Sequence, residues 1–154
     1  MYFLKGIIIY ESKYGNTKAV AERIIEGIKS VSRIDFDLRT QKEIKPISVA
    51  GYDIIALGSP NHMGKATRGM RKFIEKIGKL ELQGKKGFLF DTYTGGDHMK
   101  AVRSMEKIIT ERVKGLELIS SGLSVQVKGM RGPPVEGALD ECLDYGKRIG
   151  SLLK

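Results

Sequence analysis

From one end of the chain to the other, short apolar runs rich in β-branched residues alternate with longer stretches whose apolar residues recur at helical spacing. Gly6–Tyr10 reads GIIIY, an unbroken apolar run of the kind a strand buried on both faces requires. Over Thr17–Ser30 the period changes. Val20, Ala21, Ile24, Ile25 and Ile28 fall on one helical stripe, with Lys18, Glu22, Arg23, Glu26 and Lys29 largely opposite. Ile34, Phe36 and Leu38 alternate with charged residues, which predicts a half-exposed strand at or near a sheet edge. Tyr52–Leu57 is a second buried strand, stopped by Gly58-Ser59-Pro60. Thr67–Lys79 is helical, with Met70, Phe73, Ile74 and Ile77 inward. Gly87–Phe90 is a third buried strand, ended by the polar run Asp91–Asp97. Met99–Val113 is helical again. Leu116–Val127 holds one strand, or two pieces broken around Ser120-Ser121-Gly122. Pro133-Pro134 precedes a last helix, Glu136–Leu153, with Leu139, Cys142, Leu143, Ile149 and Leu153 inward.

Alternating units of this kind make an α/β three-layer sandwich, a parallel sheet covered by helices on both faces. Right-handed crossovers restrict the topology, and five strands in the order 2-1-3-4-5 are expected. No repeat, low-complexity segment or linker interrupts the 154 residues, so residues 1–154 read as a single domain.

Composition narrows the chemistry. The single cysteine, Cys142, excludes an intramolecular disulfide and a cysteine metal cluster, and it sits on the apolar stripe of the last helix as core filler. Two histidines in different loops make a poor metal site, and none is expected. Met1–Lys5 runs straight into an apolar stretch that ends by Tyr10, too short for a membrane span and without a leader-cleavage pattern. A cytoplasmic protein with no membrane partner is the expectation. The net charge of +9 speaks to partners rather than to fold. It is densest at Lys65, Arg68, Arg71, Lys72, Lys76 and Lys79 and at Lys85-Lys86, either a solvated helix face or a docking surface for an acidic partner. Nucleic acid is the weaker reading of that surface.

In open α/β sheets, ligands bind at the carboxyl ends of the strands, at the point where the strand order reverses. For 2-1-3-4-5 that point lies between strands 1 and 3, and the loops there are 11–17, 58–66 and 91–98. They hold the only two asparagines, Asn16 and Asn61, and the only two histidines, His62 and His98. The first loop, Ser12-Lys13-Tyr14-Gly15-Asn16-Thr17, leaves a buried strand and opens a helix. Helix N-terminal N–H groups lack internal partners and carry partial positive charge. Ser12 and Thr17 add hydroxyls, and Gly15 permits close backbone approach. The run is built as a phosphate cradle and exceeds what helix capping needs. It has no closing Gly-Lys-Ser/Thr and only one glycine, so it is neither a nucleotide P-loop nor a dinucleotide fingerprint. A phosphoacceptor Asp at the end of strand 3 and a Gly-x-Ser-x-Gly elbow are both missing, which disfavours a receiver domain and a serine hydrolase.

Ile8-Ile9-Tyr10-x-Ser12-x-x-Gly15-x-Thr17-x-x-x-Ala21-x-x-Ile24 resembles the FMN-phosphate signature of the flavodoxin-like family at every constrained position. Gly58-Ser59-Pro60 with Asn61-His62-Met63-Gly64 resembles the family's second loop, and Gly95-Gly96-Asp97 its third. The resemblance implies a flavodoxin-like fold with FMN as cofactor. It places the phosphate on Ser12, Lys13, Tyr14, Gly15, Asn16 and Thr17. The isoalloxazine ring then lies between Pro60, Asn61, His62, Met63 and Gly64 on one side and Thr92, Tyr93, Thr94, Gly95, Gly96 and Asp97 on the other. His62 and Met63 would approach one ring face and Tyr93 the other, with backbone N–H groups of both loops at the flavin edge.

Three features depart from single-domain flavodoxins. Position 14 is Tyr rather than Thr, no Trp is available to flank the ring, and the protein is basic. The Ser-x-Tyr-Gly loop is more similar to the flavodoxin domains of flavodiiron proteins and quinone reductases. The leading expectation is an electron-transfer protein whose flavin cycles between redox states, with no catalytic residue and with redox partner proteins that carry acidic docking surfaces. The alternatives are an FMN-dependent NAD(P)H or quinone oxidoreductase, and a basic binding module without flavin. The oligomeric state is not encoded in these patterns.

Overall fold

The computed structural model describes residues 3–154; the first two residues of the Met1–Lys5 run, read as carrying no leader-cleavage pattern, lie outside them. Strand β1 is Lys5–Tyr10, helix α1 Asn16–Val31, β2 Asp35–Thr40, and a 3-10 turn covers Pro46–Gly51. Then come β3 Ile54–Pro60, α2 Arg68–Ile77, β4 Lys86–Tyr93 and α3 Lys100–Arg112. Two short strands, β5 Glu117–Leu118 and β6 Leu123–Gln126, precede α4 Ala138–Leu153. All strand pairs are parallel, in the order β2-β1-β3-β4-β5, with β6 also pairing β4. This is the flavodoxin order, with the fifth position divided in two.

The apolar runs explain the layers. Ile7 and Ile9 point to one face of β1 and Ile8 to the other, and all three are fully buried. On the first face, Met70, Phe73, Ile74 and Ile77 of α2 and Ala101, Val102, Met105 and Ile109 of α3 close one core. On the second, Val20, Ala21, Ile24 and Ile28 of α1 meet Cys142, Tyr145, Ile149 and Leu153 of α4. Each fully buried isoleucine or phenylalanine contributes roughly 1.5–3 kcal/mol by leaving water. β2 lies at the edge and is half-buried, as its alternating pattern predicts.

Helices α1 and α4 approach at glycines. A Cβ on Gly27 would collide with the Leu143 carbonyl, and one on Gly146 with the Ile24 carbonyl. Leu139 and Leu143, expected inward, are half-buried, and Tyr145 takes a core position instead. Its ring packs edge-on to Phe88, and its hydroxyl donates to the Ser121 carbonyl at 2.9 Å. That carbonyl lies where the fifth strand breaks, so Tyr145 satisfies a group the ladder leaves unpaired.

Two strands run further than their apolar residues suggest. β3 continues to Pro60 and β4 to Tyr93, paired through Ser59↔Asp91 and Pro60↔Thr92. The polar side chains there are satisfied locally. Asp91, fully buried, accepts from the Val102 N–H (2.9 Å) and the Ser124 hydroxyl (2.5 Å). Ser59 accepts from the Thr67 N–H and donates to the Pro60 carbonyl. Among the described residues no helix is long and apolar enough to cross a membrane.

Candidate functional site

The carboxyl ends of β1, β3, β4 and β6 open into a cavity of about 550 Å³. The first loop builds one wall. Gly15 has φ +90° and caps α1, a conformation in which glycine pays no Cβ penalty. Its N–H donates to Ser12 Oγ at 3.0 Å, and its carbonyl accepts from Ala19. The first turn of α1 carries no acidic side chain. Its N–H groups have no intrahelical acceptor, so they present a positive end to the cavity. Ser12, Lys13, Tyr14, Asn16 and Thr17 line the cavity, whereas Gly15 serves through its backbone turn. Thr17 is buried, and its hydroxyl shares a 3.1 Å hydrogen bond with that of Thr92 at the end of β4.

The second wall is the end of β3. Pro60, Asn61 and His62 line the cavity. His62 and Lys65 exchange both backbone hydrogen bonds around Met63 (φ +53°) and Gly64 (φ +82°), a two-residue turn with positive φ at both central positions. Met63 is therefore carried away from the cavity and is 88% exposed. Gly64 stays at the turn, outside the lining.

In the third loop Thr92, Tyr93 and Thr94 line the cavity, and Gly95, Gly96 and Asp97 lie beyond it. Asp97 works at a distance, accepting from Asn61 Nδ2 at 2.9 Å and pairing with Lys100 at 3.0 Å. The second and third loops are thereby tied together. Asn61 N–H donates to the Thr92 carbonyl at 2.7 Å, and Asn61 Oδ1 is buried with no hydrogen-bond partner among the described residues. The Tyr93 ring meets His98 edge-on at 5.4 Å. Burial is the main cause that pushes the Tyr93 phenol above its ordinary range, with the Asp91 carboxylate second.

Sequence reading missed several lining residues. Thr67, Arg68 and Gly69 bring the start of α2 to the cavity, so a second helix N-terminus faces the same space. Thr67 accepts from the Met70 N–H, a capping signal visible in the sequence. Val127 and Met130 come from the segment after β6, which carries no motif. Among the described residues Glu11 is the only carboxylate in the lining, and its Oε1 is engaged by the Gln41 amide.

The model of the flavodoxin domain family matches residues 7–120. The chain belongs to the flavodoxin domain family. It is 33% identical over 94 residues to a flavodoxin of Aquifex aeolicus, covering 59% of this chain and 51% of that protein. It is 29% identical over 102 residues to an NAD(P)H dehydrogenase (quinone) of Chromohalobacter salexigens, covering 53% and 51%. The chain thus spans about half the length of these two relatives. A solved flavodoxin structure from the domain Archaea superimposes with TM-score 0.80 at 28% identity, over 98% of this chain and 100% of that one. In this flavodoxin-domain protein the family match includes the first and second loops and the third, while Val127 and Met130 fall outside it.

Proposed function

We propose that this protein binds one FMN in the cavity and carries electrons between partner proteins. The observation that carries this reading is the first loop: an acid-free helix start, capped by Gly15, that opens on a cavity walled by the other two loops. A volume of about 550 Å³ suits a cofactor-sized ligand. Asn61 Oδ1, a buried acceptor without a partner, suits a ring N–H. Bound FMN supplies one- and two-electron transfer, chemistry that belongs to the cofactor.

The chain's residues bind, orient and exclude water. N–H groups at the start of α1, with the Ser12 and Thr17 hydroxyls beside them, hold the phosphate. Asn61, His62 and Tyr93 are the ring-side residues, and the Asn61–Asp97 bond keeps their two loops in register. No residue is needed as acid or nucleophile. The shared sheet supports residues 1–154 acting as one domain, and the lone buried cysteine agrees with a cytoplasmic location. The +9 charge, with Lys13 and Arg68 in the cavity lining, favours redox partners with acidic docking surfaces and raises their association rates at low salt.

A second reading, direct oxidation of NAD(P)H or reduction of a quinone, is favoured by the similarity to the Chromohalobacter salexigens protein. An absorption spectrum with and without added FMN tests both. A yellow protein that quenches FMN fluorescence is expected, and Gly15→Asp abolishes the quenching by placing a carboxylate at the phosphate. Absence of quenching at saturating FMN rejects both readings and leaves a flavin-free basic module. Rapid bleaching by NADPH alone selects the oxidoreductase.

A further inference from the structure

Two cations converge on one aromatic ring of the first loop, that of Tyr14, which lines the cavity. Lys13 Nζ lies 5.4 Å and the Arg131 guanidinium carbon 5.5 Å from the centroid of Tyr14. They come from opposite ends of the chain, and the segment between β6 and α4 brings Arg131 there. That segment is internally bonded: the Lys128 N–H donates to the Pro133 carbonyl and the Gly132 N–H to the Gly129 carbonyl, both at 2.9 Å. It is also docked on the first loop. The Tyr14 hydroxyl donates to Met130 Sδ at 3.8 Å, and Gly132 lies so close to Asn16 that a Cβ would overlap its amide. Residues 128–134 therefore form a strap across the start of α1.

Like charges held on one ring repel unless an anion joins them. No carboxylate plays that part. The ion pairs among the described residues are Lys5–Asp37, Arg23–Glu26 and Lys100–Asp97, and neither Lys13 nor Arg131 belongs to them. Glu11 is held by Gln41, and the first turn of α1 has no acid. The positive end of the helix adds to the same field. An anion of two charges at the loop would relieve all three.

We propose that Lys13 and Arg131 form a cationic clamp over the phosphate cradle, so that this protein selects the phosphorylated flavin over the unphosphorylated one by charge. The clamp rests on the flavin reading above. It adds a ligand group the backbone cradle alone does not supply, and it makes the selection sensitive to salt. Exposed cations act through screened Coulomb attraction, so the effect is modest at high ionic strength.

Fluorescence-quenching titrations with FMN and with riboflavin test it, using wild-type protein, Lys13→Gln, Arg131→Gln and Arg131→Lys at low and high KCl. Each Gln variant is expected to weaken FMN by about fivefold at low salt and to leave riboflavin unchanged. Arg131→Lys restores most of the FMN affinity, and the loss shrinks at high KCl. Equal weakening of both flavins would make the strap merely structural and overturn the clamp. So would no change in either, or wild-type protein that holds riboflavin as tightly as FMN; all three leave the flavin reading intact. Wild-type protein that binds neither flavin fails the flavin reading, and the clamp falls with it.

Discussion

The hydroxyls of Thr17 and Thr92 lie 3.1 Å apart, both residues buried, and join the start of α1 to the end of β4 across 75 positions of sequence. Through this bond the loop after β1 and the strand that leads to Tyr93 are fixed to each other. Replacing either threonine by valine keeps the shape but strands the other hydroxyl. Each single variant is expected to cost about 1–3 kcal/mol, and the double variant less than the sum, because the orphan disappears with its partner. Urea denaturation of the four proteins of the cycle measures this.

Asp91 gives the protein a pH dependence of known sign. Burial, the largest cause, raises its pKa above 3.8, against the Ser124 and Val102 hydrogen bonds that lower it. The folded state therefore holds this proton more tightly than the unfolded chain. Its contribution to stability is present below about pH 3.8 and is lost as pH rises through the folded-state pKa. Asp91→Asn is expected to remove that downward slope, seen as a difference between the two proteins' stability–pH curves from pH 3.5 upward. Asp91→Ala leaves the Val102 N–H and the Ser124 O–H without their acceptor, although Ser124 Oγ still accepts from the Met99 N–H, and is expected to cost about 2–4 kcal/mol.

At the crossing of α1 and α4, Gly146→Ala is expected to destabilise by about 1–3 kcal/mol, since the added methyl meets the Ile24 carbonyl and the helices must separate. A control at Gly51, where a Cβ would meet nothing within 4 Å, is expected to stay near wild type. Thermal melts of the two variants distinguish packing from glycine content.

Met63 sits at φ +53° in a turn whose first central position favours asparagine. Met63→Asn is expected to stabilise the fold by about 0.5–1 kcal/mol, because asparagine tolerates the left-handed region. As Met63 does not line the cavity, FMN affinity is expected to change less than twofold, read by the same quenching titration.

The order of elements, the parallel sheet and the first loop were legible in the chain because each rests on local pattern. GIIIY marks a buried strand, the 17–30 stripe a helix, and Ser12–Thr17 the turn between them. The ends of β3 and β4 carry no strand signal because Ser59, Asp91 and Thr92 are polar, and their hydrogen bonds to Thr67, Val102, Ser124 and Thr17 accommodate them in the sheet. Tyr145 gives no core signal in the sequence because its hydroxyl finds its partner only where the fifth strand breaks.

The sequence by itself determined that this protein is a doubly covered parallel sheet with a glycine-capped helix start after β1. Tertiary structure alone decided what stands around that start. Parallel crossovers carry Arg68 and Gly69 of α2, and Met130 beyond β6, to the same mouth as Ser12. Periodicity says which face of an element is buried; it does not say which distant loop lies above it. The placement of Arg131 against Tyr14 is of that second kind, for it depends on the path of the strap across α1 and not on any motif in either segment.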